Sequence, residues 1–256
     1  MPLIPVVHRD ARVRNALRRG MPVHGGRMVT CRTLQRIRAI LQRTLVDAVV
    51  VDVLAVDPAA VFALVTEYAG IPFFALSAFR PDDGVLLAAC RDAGLRGVFV
   101  TGVDLPVAGE LVGGRTTSRA LAAALQDAPR LLRLTEQIQT RAWSEILARV
   151  GTPTSTSDVA LLLGHSREHL SREFAAGGAP NLKRVIDLVR AACAAHLLSS
   201  PGYDIATAAR VLHYSSSSHF AGAARRIAGA RPSELGRLGA HGVLLRFLRG
   251  RTRSRI

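Results

Sequence analysis

Cysteine is scarce in this chain of 256 residues: Cys31, Cys90 and Cys193 are odd in number, far apart and without a CxxC pair. That excludes a disulfide framework and a cysteine zinc site, and leaves buried, unreactive thiols as the reading. Long apolar runs are also missing; none approaches the ~20 residues that span a bilayer, so no membrane partner is expected. The short apolar patch at the start is followed at once by His8, Arg9, Asp10 and further arginines. A secretory signal has the opposite order, so a cytoplasmic protein is expected. Lysine is almost absent, Lys183 being the only one, and acids are in deficit, 19 against 34 basic side chains. The surplus is concentrated late: residues 1–150 hold 19 basic and 13 acidic side chains, residues 151–256 hold 15 and 6. Such an excess favours a polyanion, because each neutralised phosphate releases condensed counterions. A genomic preference for arginine would give the same composition, so charge alone leaves the two explanations level.

Apolar stretches at 3–7, 48–54, 71–76 and 97–100, with a weaker one at 28–29, alternate with amphipathic segments at 11–19, 34–45, 59–68 and 84–93. Short apolar runs separated by helices of 10–15 residues indicate βαβ units. Continuous runs such as Val49-Val50-Val51 suit strands buried on both faces of a parallel sheet. The expected fold class is therefore α/β followed by all-α, beginning with a doubly wound, flavodoxin-like sheet of five parallel strands. The strand-and-helix pattern ends near Asp104, a Pro/Gly-punctuated loop is expected at 105–114, and the fifth helix at 116–126. From 155 to about 238 only helical signals appear. The expected domains are 1–127, 128–240 and a basic tail, 241–256, read as a frayed surface helix.

Within the helical half, residues 157–163 form a short apolar helix with the small Ala160 where another helix must approach. Gly164 suits a tight turn, Ser166 can cap a new helix, and Leu170 and Phe174, four apart, face inward on it. This is a helix-turn-helix, whose second helix lies in a major groove. The order returns at 203–228. Ile205, Ala208, Ala209 and Leu212 make a buried side, His213-Tyr214 a turn, and four serines, 215–218, a helix start with Phe220 inward. A long helix at 182–198, with Val185, Ile186, Val189, Cys193 and Leu197 along one side, joins the two units.

These residues, with Arg190, Leu197-Leu198, Ile205-Ala206, Ser218-His219-Phe220, Gly229 and Pro232-Ser233-Glu234, resemble the AraC/XylS-type DNA-binding domain over about 100 residues. The resemblance implies two recognition helices entering successive major grooves. It assigns DNA contacts to Arg167, Glu168, Ser171 and Arg172 in the first and to Ser217, Ser218 and His219 in the second. Departures fall mainly in the second unit: His213 replaces the turn glycine, Gly222 a position often Arg, and Ala224 and Ala228 aromatic core residues. Ala179 also stands at a usual glycine. A thinner core and fewer cations in the second unit imply either a more mobile second helix or unequal contributions of the two heads.

The first 125 residues resemble a response-regulator receiver, with Asp52 at the phosphoacceptor position and Ser77-Ala78 after the fourth strand. The resemblance requires two acids after the first strand to hold Mg²⁺, but His8 and Arg9 stand there with Asp10 beside them, and Thr101 replaces the lysine. Arg9 is open to direct pairing with Asp52. A pseudo-receiver is implied, whose fourth and fifth helices are free to dimerise or whose switch crevice is open to a ligand. No metal, cofactor or enzyme activity is expected: the His8-Arg9-Asp10 tripeptide and the glycines at 113–114 lack the partners that kinase or P-loop chemistry needs, and the histidines at 165, 169, 213 and 219 fall at turns and recognition helices.

The expected function is a sequence-specific DNA-binding transcription regulator whose input domain works without phosphorylation, with double-stranded DNA as partner and RNA polymerase or a second copy open. A phosphorylation-controlled regulator and a scaffold with weakened DNA reading stand as alternatives.

Overall fold

The computed structural model describes residues 3–22, 26–175 and 178–253. Contacts divide the chain into two units, one reaching Ala120 and including Ser200–Tyr203, the other formed by Leu121–Ser199 and the residues from Asp204 onward.

The first unit alternates strand and helix: β1 Leu3–Val7, α1 Ala11–Gly20, β2 Arg27–Thr30, α2 Leu34–Leu41, β3 Val49–Val51, α3 Pro58–Glu67, β4 Phe73–Ser77, α4 Gly84–Asp92, β5 Gly97–Val100 and α5 Leu105–Gly114. All strands are parallel, in the order β2-β1-β3-β4-β5. Every residue of β1, β3 and β4 is buried, as a sheet covered on both faces requires, whereas the edge strand β2 is partly exposed. Ile4, Val6, Val50, Phe74 and Leu76 pack with Val13 and Leu17 of α1 and Ala108 and Val112 of α5 into one core. Asp10, Thr33 and Asp57 cap α1, α2 and α3 by accepting backbone N–H groups.

The fifth helix corrects the sequence reading, which placed a loop at 105–114. Glycine there serves close helix packing rather than chain reversal. A Cβ on Gly109 would lie 2.5 Å from the Gly20 carbonyl carbon and 2.6 Å from the Leu17 oxygen, and one on Gly113 2.4 Å from the Pro22 ring. Backbone atoms of α1 cannot yield as a side chain can. Gly109→Val is therefore expected to destabilise the α/β unit by about 3 kcal/mol or more, beyond the usual range for overpacking. Urea unfolding followed by far-ultraviolet circular dichroism tests this; an unchanged midpoint would contradict the α1–α5 contact. After α5 the chain is tied to the sheet end at Asp47, whose carboxylate accepts the Ser118 N–H at 2.7 Å while its carbonyl accepts that of Thr117 at 2.8 Å. Burial pushes the Asp47 carboxyl up, against those hydrogen bonds.

The second unit is entirely helical among the described residues: α6 Thr117–Ala124 crosses the boundary, and α7 Ala128–Leu131, α8 Gln137–Ala148, α9 Thr156–Leu162, α10 Arg167–Ala175, α11 Leu182–Leu197, α12 Ile205–Val211, α13 Ser217–Ala228 and α14 Pro232–Arg253 follow. The helix begun at 116 by the sequence reading is thus α6, and follows the fifth helix rather than being it.

The linker helix α11 is the axis of this unit. It buries residues on nearly every side, because Ala191, Ala192, Ala194 and Ala195 admit neighbours where larger residues would hold them off. The sequence reading gave it one apolar side only. The end of the chain also differs from expectation. α14 turns at Gly239 (φ 65°) and buries Val243, Leu244 and Phe247, with the Arg184 guanidinium of α11 4.9 Å from the Phe247 ring centre. Three large apolar residues at helical spacing make that segment part of the core, not a frayed surface helix. Residues 254–256 of the expected tail lie outside the described residues.

Candidate nucleic-acid interface and the Asp52 corner

In the first helix pair, Ser155 and Asp158 form a reciprocal capping box at the start of α9. The helix ends in a turn in which Gly164 has φ 74° and the His165 N–H returns to the Ala160 carbonyl at 3.0 Å. That six-to-one bond is the Schellman closure. Ser166 then accepts the His169 N–H at 3.1 Å and starts α10. Leu170 and Phe174 are fully buried, so Arg167, Glu168, Ser171 and Arg172 are held on the exposed side. Gln139 of α8, itself buried, donates to the Glu173 carbonyl at 2.8 Å and fixes the far end of α10. Sequence reasoning missed that contact; an amide at an otherwise apolar helix position was its only signal.

The second pair repeats this geometry. Asp204 caps α12 through the Thr207 N–H at 2.7 Å, a bond that holds its carboxyl below the usual range. The Tyr214 N–H returns to the Ala209 carbonyl at 2.8 Å. Here the left-handed position belongs to His213, with φ 57°, an uncommon conformation for a side chain with a Cβ. Its neighbours hold it. Arg190 of α11 donates to the carbonyls of Leu212 and His213 at 2.7 and 2.9 Å, and its guanidinium lies 4.0 Å from the Tyr214 ring centre. The His213 ring nitrogen Nε2 is 3.1 Å from the Gly151 carbonyl. Arg190, which the sequence offered only as part of a resemblance, is thus the clamp that lets the turn do without glycine.

The second turn is one residue longer, and Ser216 is the cap of α13, accepting the His219 N–H at 3.0 Å. Counted from the two caps, Phe220 falls where Leu170 does and is likewise fully buried. Ser217 and Ser218 then match Arg167 and Glu168, and Ala221 and Gly222 match Ser171 and Arg172. Ser217, Ser218 and His219 are all exposed, with the His219 Nδ1 3.0 Å from the Ser215 hydroxyl. Both heads are built alike, but the first carries two arginines where the second carries a serine and a glycine.

The α/β unit brings Asp52, Ser77, His8 and Thr101 to the carboxyl ends of neighbouring strands. Ser77 donates to the Asp52 carboxylate at 2.8 Å and accepts the Val53 N–H at 3.0 Å. The basic group facing Asp52 is His8, with Nε2 3.8 Å from the carboxylate, and not Arg9, whose side chain is exposed. The direct Arg9–Asp52 pairing that the sequence left open is not formed: His8 is the buried residue that follows β1, and Arg9 is exposed. The residues do not fit the magnesium ion of a receiver. Such an ion takes an octahedral set of oxygens, but the side chain facing Asp52 is the His8 imidazole, and the Asp10 carboxylate is engaged in capping α1 at 2.7 Å from the Arg12 nitrogen.

A five-stranded parallel α/β domain thus precedes a domain with two helix-turn-helix units in one chain. Residues 159–237 match the family model described as a helix-turn-helix domain, and this domain is of the AraC type, a DNA-binding class found in transcription regulation. Among solved structures the chain is similar to full-length FixJ from B. japonicum, at 14% identity over 83% of this chain and 96% of that one, with a TM-score of 0.37. No curated protein matches the chain. No helix among the described residues is long and apolar enough to cross a membrane.

Proposed function

We propose that this chain is a cytoplasmic, sequence-specific transcription regulator that reads duplex DNA with α10 and α13, while its α/β unit acts as an input and dimerisation domain that works without magnesium-dependent phosphorylation. The observation that carries the reading is the pairing of two like-built helix starts. In each, a buried Leu170 or Phe220 fixes the helix and leaves Arg167, Glu168, Ser171 and Arg172, or Ser217, Ser218 and His219, facing solvent. Arginine and glutamate suit base edges, and hydroxyls suit phosphates. An exposed apolar series, Val103, Val107 and Leu111, each four residues from the next, supports pairing of two copies. We assign the chain no enzymatic activity and no cofactor; contact with RNA polymerase would follow from activation.

The alternative, control by phosphorylation, is favoured by one observation: Asp52 sits at a strand end with Ser77 bonded to it. The two readings separate cleanly. With His8 and Arg9 in place of metal-binding acids, acetyl phosphate with Mg²⁺ is expected to leave affinity for a selected duplex unchanged, and Asp52→Asn to bind like the parent. A gain in affinity on acetyl phosphate that Asp52→Asn abolishes would overturn the phosphorylation-independent reading.

A further inference from the structure

Beside the Asp52 corner the α/β unit contains a cavity of about 500 Å³ that the proposed function does not use. It lies at the carboxyl ends of the strands, lined by Val7 at the end of β1, Thr30 at the end of β2, and Ala55 and Val56 after β3. The strand order β2-β1-β3 makes this the place where the winding of the sheet reverses. In open α/β sheets that crevice is where small ligands bind. The size falls within the range of small-molecule sites.

Its charge is one-sided. Arg9, Arg14 and Arg32 line it together with His8, and among the described residues no acid does. Three acids adjoining the lining residues in sequence or contact are otherwise engaged: Asp52 with Ser77 and His8, Asp10 as the cap of α1 and Asp57 as the cap of α3. Arg14 is half-buried and pre-positioned, donating to the backbone carbonyls of His8 at 2.6 Å and Arg9 at 2.8 Å. Arg9 and Arg32, also lining it, are exposed. Val7, Ala55, Val56 and the buried Cys31, whose thiol burial pushes up and keeps uncharged, supply an apolar wall. Three arginines lining one cavity, with an apolar wall, suit a phosphate group carried on an uncharged body.

We infer that this cavity binds a small organic phosphate, held by Arg9, Arg14 and Arg32, and that the α/β unit is a ligand sensor. The site stands on the cavity and its arginines and is independent of DNA reading, so its test measures ligand binding directly. The full chain is titrated calorimetrically with phenyl phosphate, inorganic phosphate and benzyl alcohol. Saturable one-site binding of phenyl phosphate is expected, with inorganic phosphate weaker and benzyl alcohol silent. Arg32→Ala, at an exposed position whose loss the fold tolerates, is expected to weaken binding about tenfold or more, the scale of a lost charged hydrogen bond. Arg91→Ala, on α4 and outside the cavity, is expected to bind as the parent does. Absence of saturable binding to millimolar phenyl phosphate, or equal weakening by Arg32→Ala and Arg91→Ala, would overturn the assignment.

Discussion

Replacing Arg167 and Arg172 together with alanine is expected to lower affinity for the chain's selected duplex about 100-fold or more. Two hydrogen bonds to charged groups contribute ~1.5 kcal/mol or more each, and 1.4 kcal/mol is tenfold in affinity. Both side chains are exposed on α10, on a helix whose buried Leu170 and Phe174 fix its direction, so the loss arises in the complex and not in the fold. His219→Ala on α13 is expected to cost less than Arg172→Ala alone, because the second head holds Ala221 and Gly222 where the first holds Ser171 and Arg172. Fluorescence anisotropy titrations at fixed ionic strength check both statements, since the phosphate contribution falls steeply with salt. Equal losses for His219→Ala and Arg172→Ala would show that the heads contribute alike.

The second large effect is on stability. Phe174→Ala removes a fully buried ring at the inward side of α10, and is expected to cost ~3–5 kcal/mol. At a few degrees per kcal/mol, that is a fall of about 10 °C or more in the melting temperature of the helical unit. The chain's single tryptophan, Trp143, is buried in α8 of that unit, so its fluorescence reports this transition without interference from the α/β unit. Ser171→Ala, one turn away but exposed, is expected to stay within ~0.5 kcal/mol of the parent. A Phe174→Ala variant that melts with the parent would mean that α10 is not anchored as described.

The contrast between these two residues reflects what the sequence made legible. β1 and β5 were readable to the residue, because continuous apolar runs bounded by turn residues admit few other conformations; α10 was readable from the cap Ser166 with Leu170 four residues later, and α13 from a run of serines ahead of the inward Phe220. Failures came where a residue type has two physical uses. Gly109 and Gly113 read as loop formers, but in α5 they are contact points against Gly20 and Pro22. Val243, Leu244 and Phe247 formed a short amphipathic stretch whose partner, α11, lies some fifty residues earlier, so nothing local marked it as core. At the Asp52 corner the unexpected residues were visible, but their geometry was not. Charge alone favoured Arg9 as the partner of Asp52, and only the turn after β1 assigns that position to His8. The Arg190 clamp on the His213 turn spans more than twenty residues and joins a side chain to backbone carbonyls, a contact that leaves no sequence pattern.

The central claim, that two like-built heads read duplex DNA by sequence, is tested most directly by selection from random duplex with the purified full chain at physiological salt. Enrichment of a bipartite site is expected, its two blocks about one helical turn apart, with the block read by α10 the more strongly specified. Binding that enriches no sequence and disappears steeply with added salt would contradict it, and would make the helical unit a scaffold that has lost DNA reading.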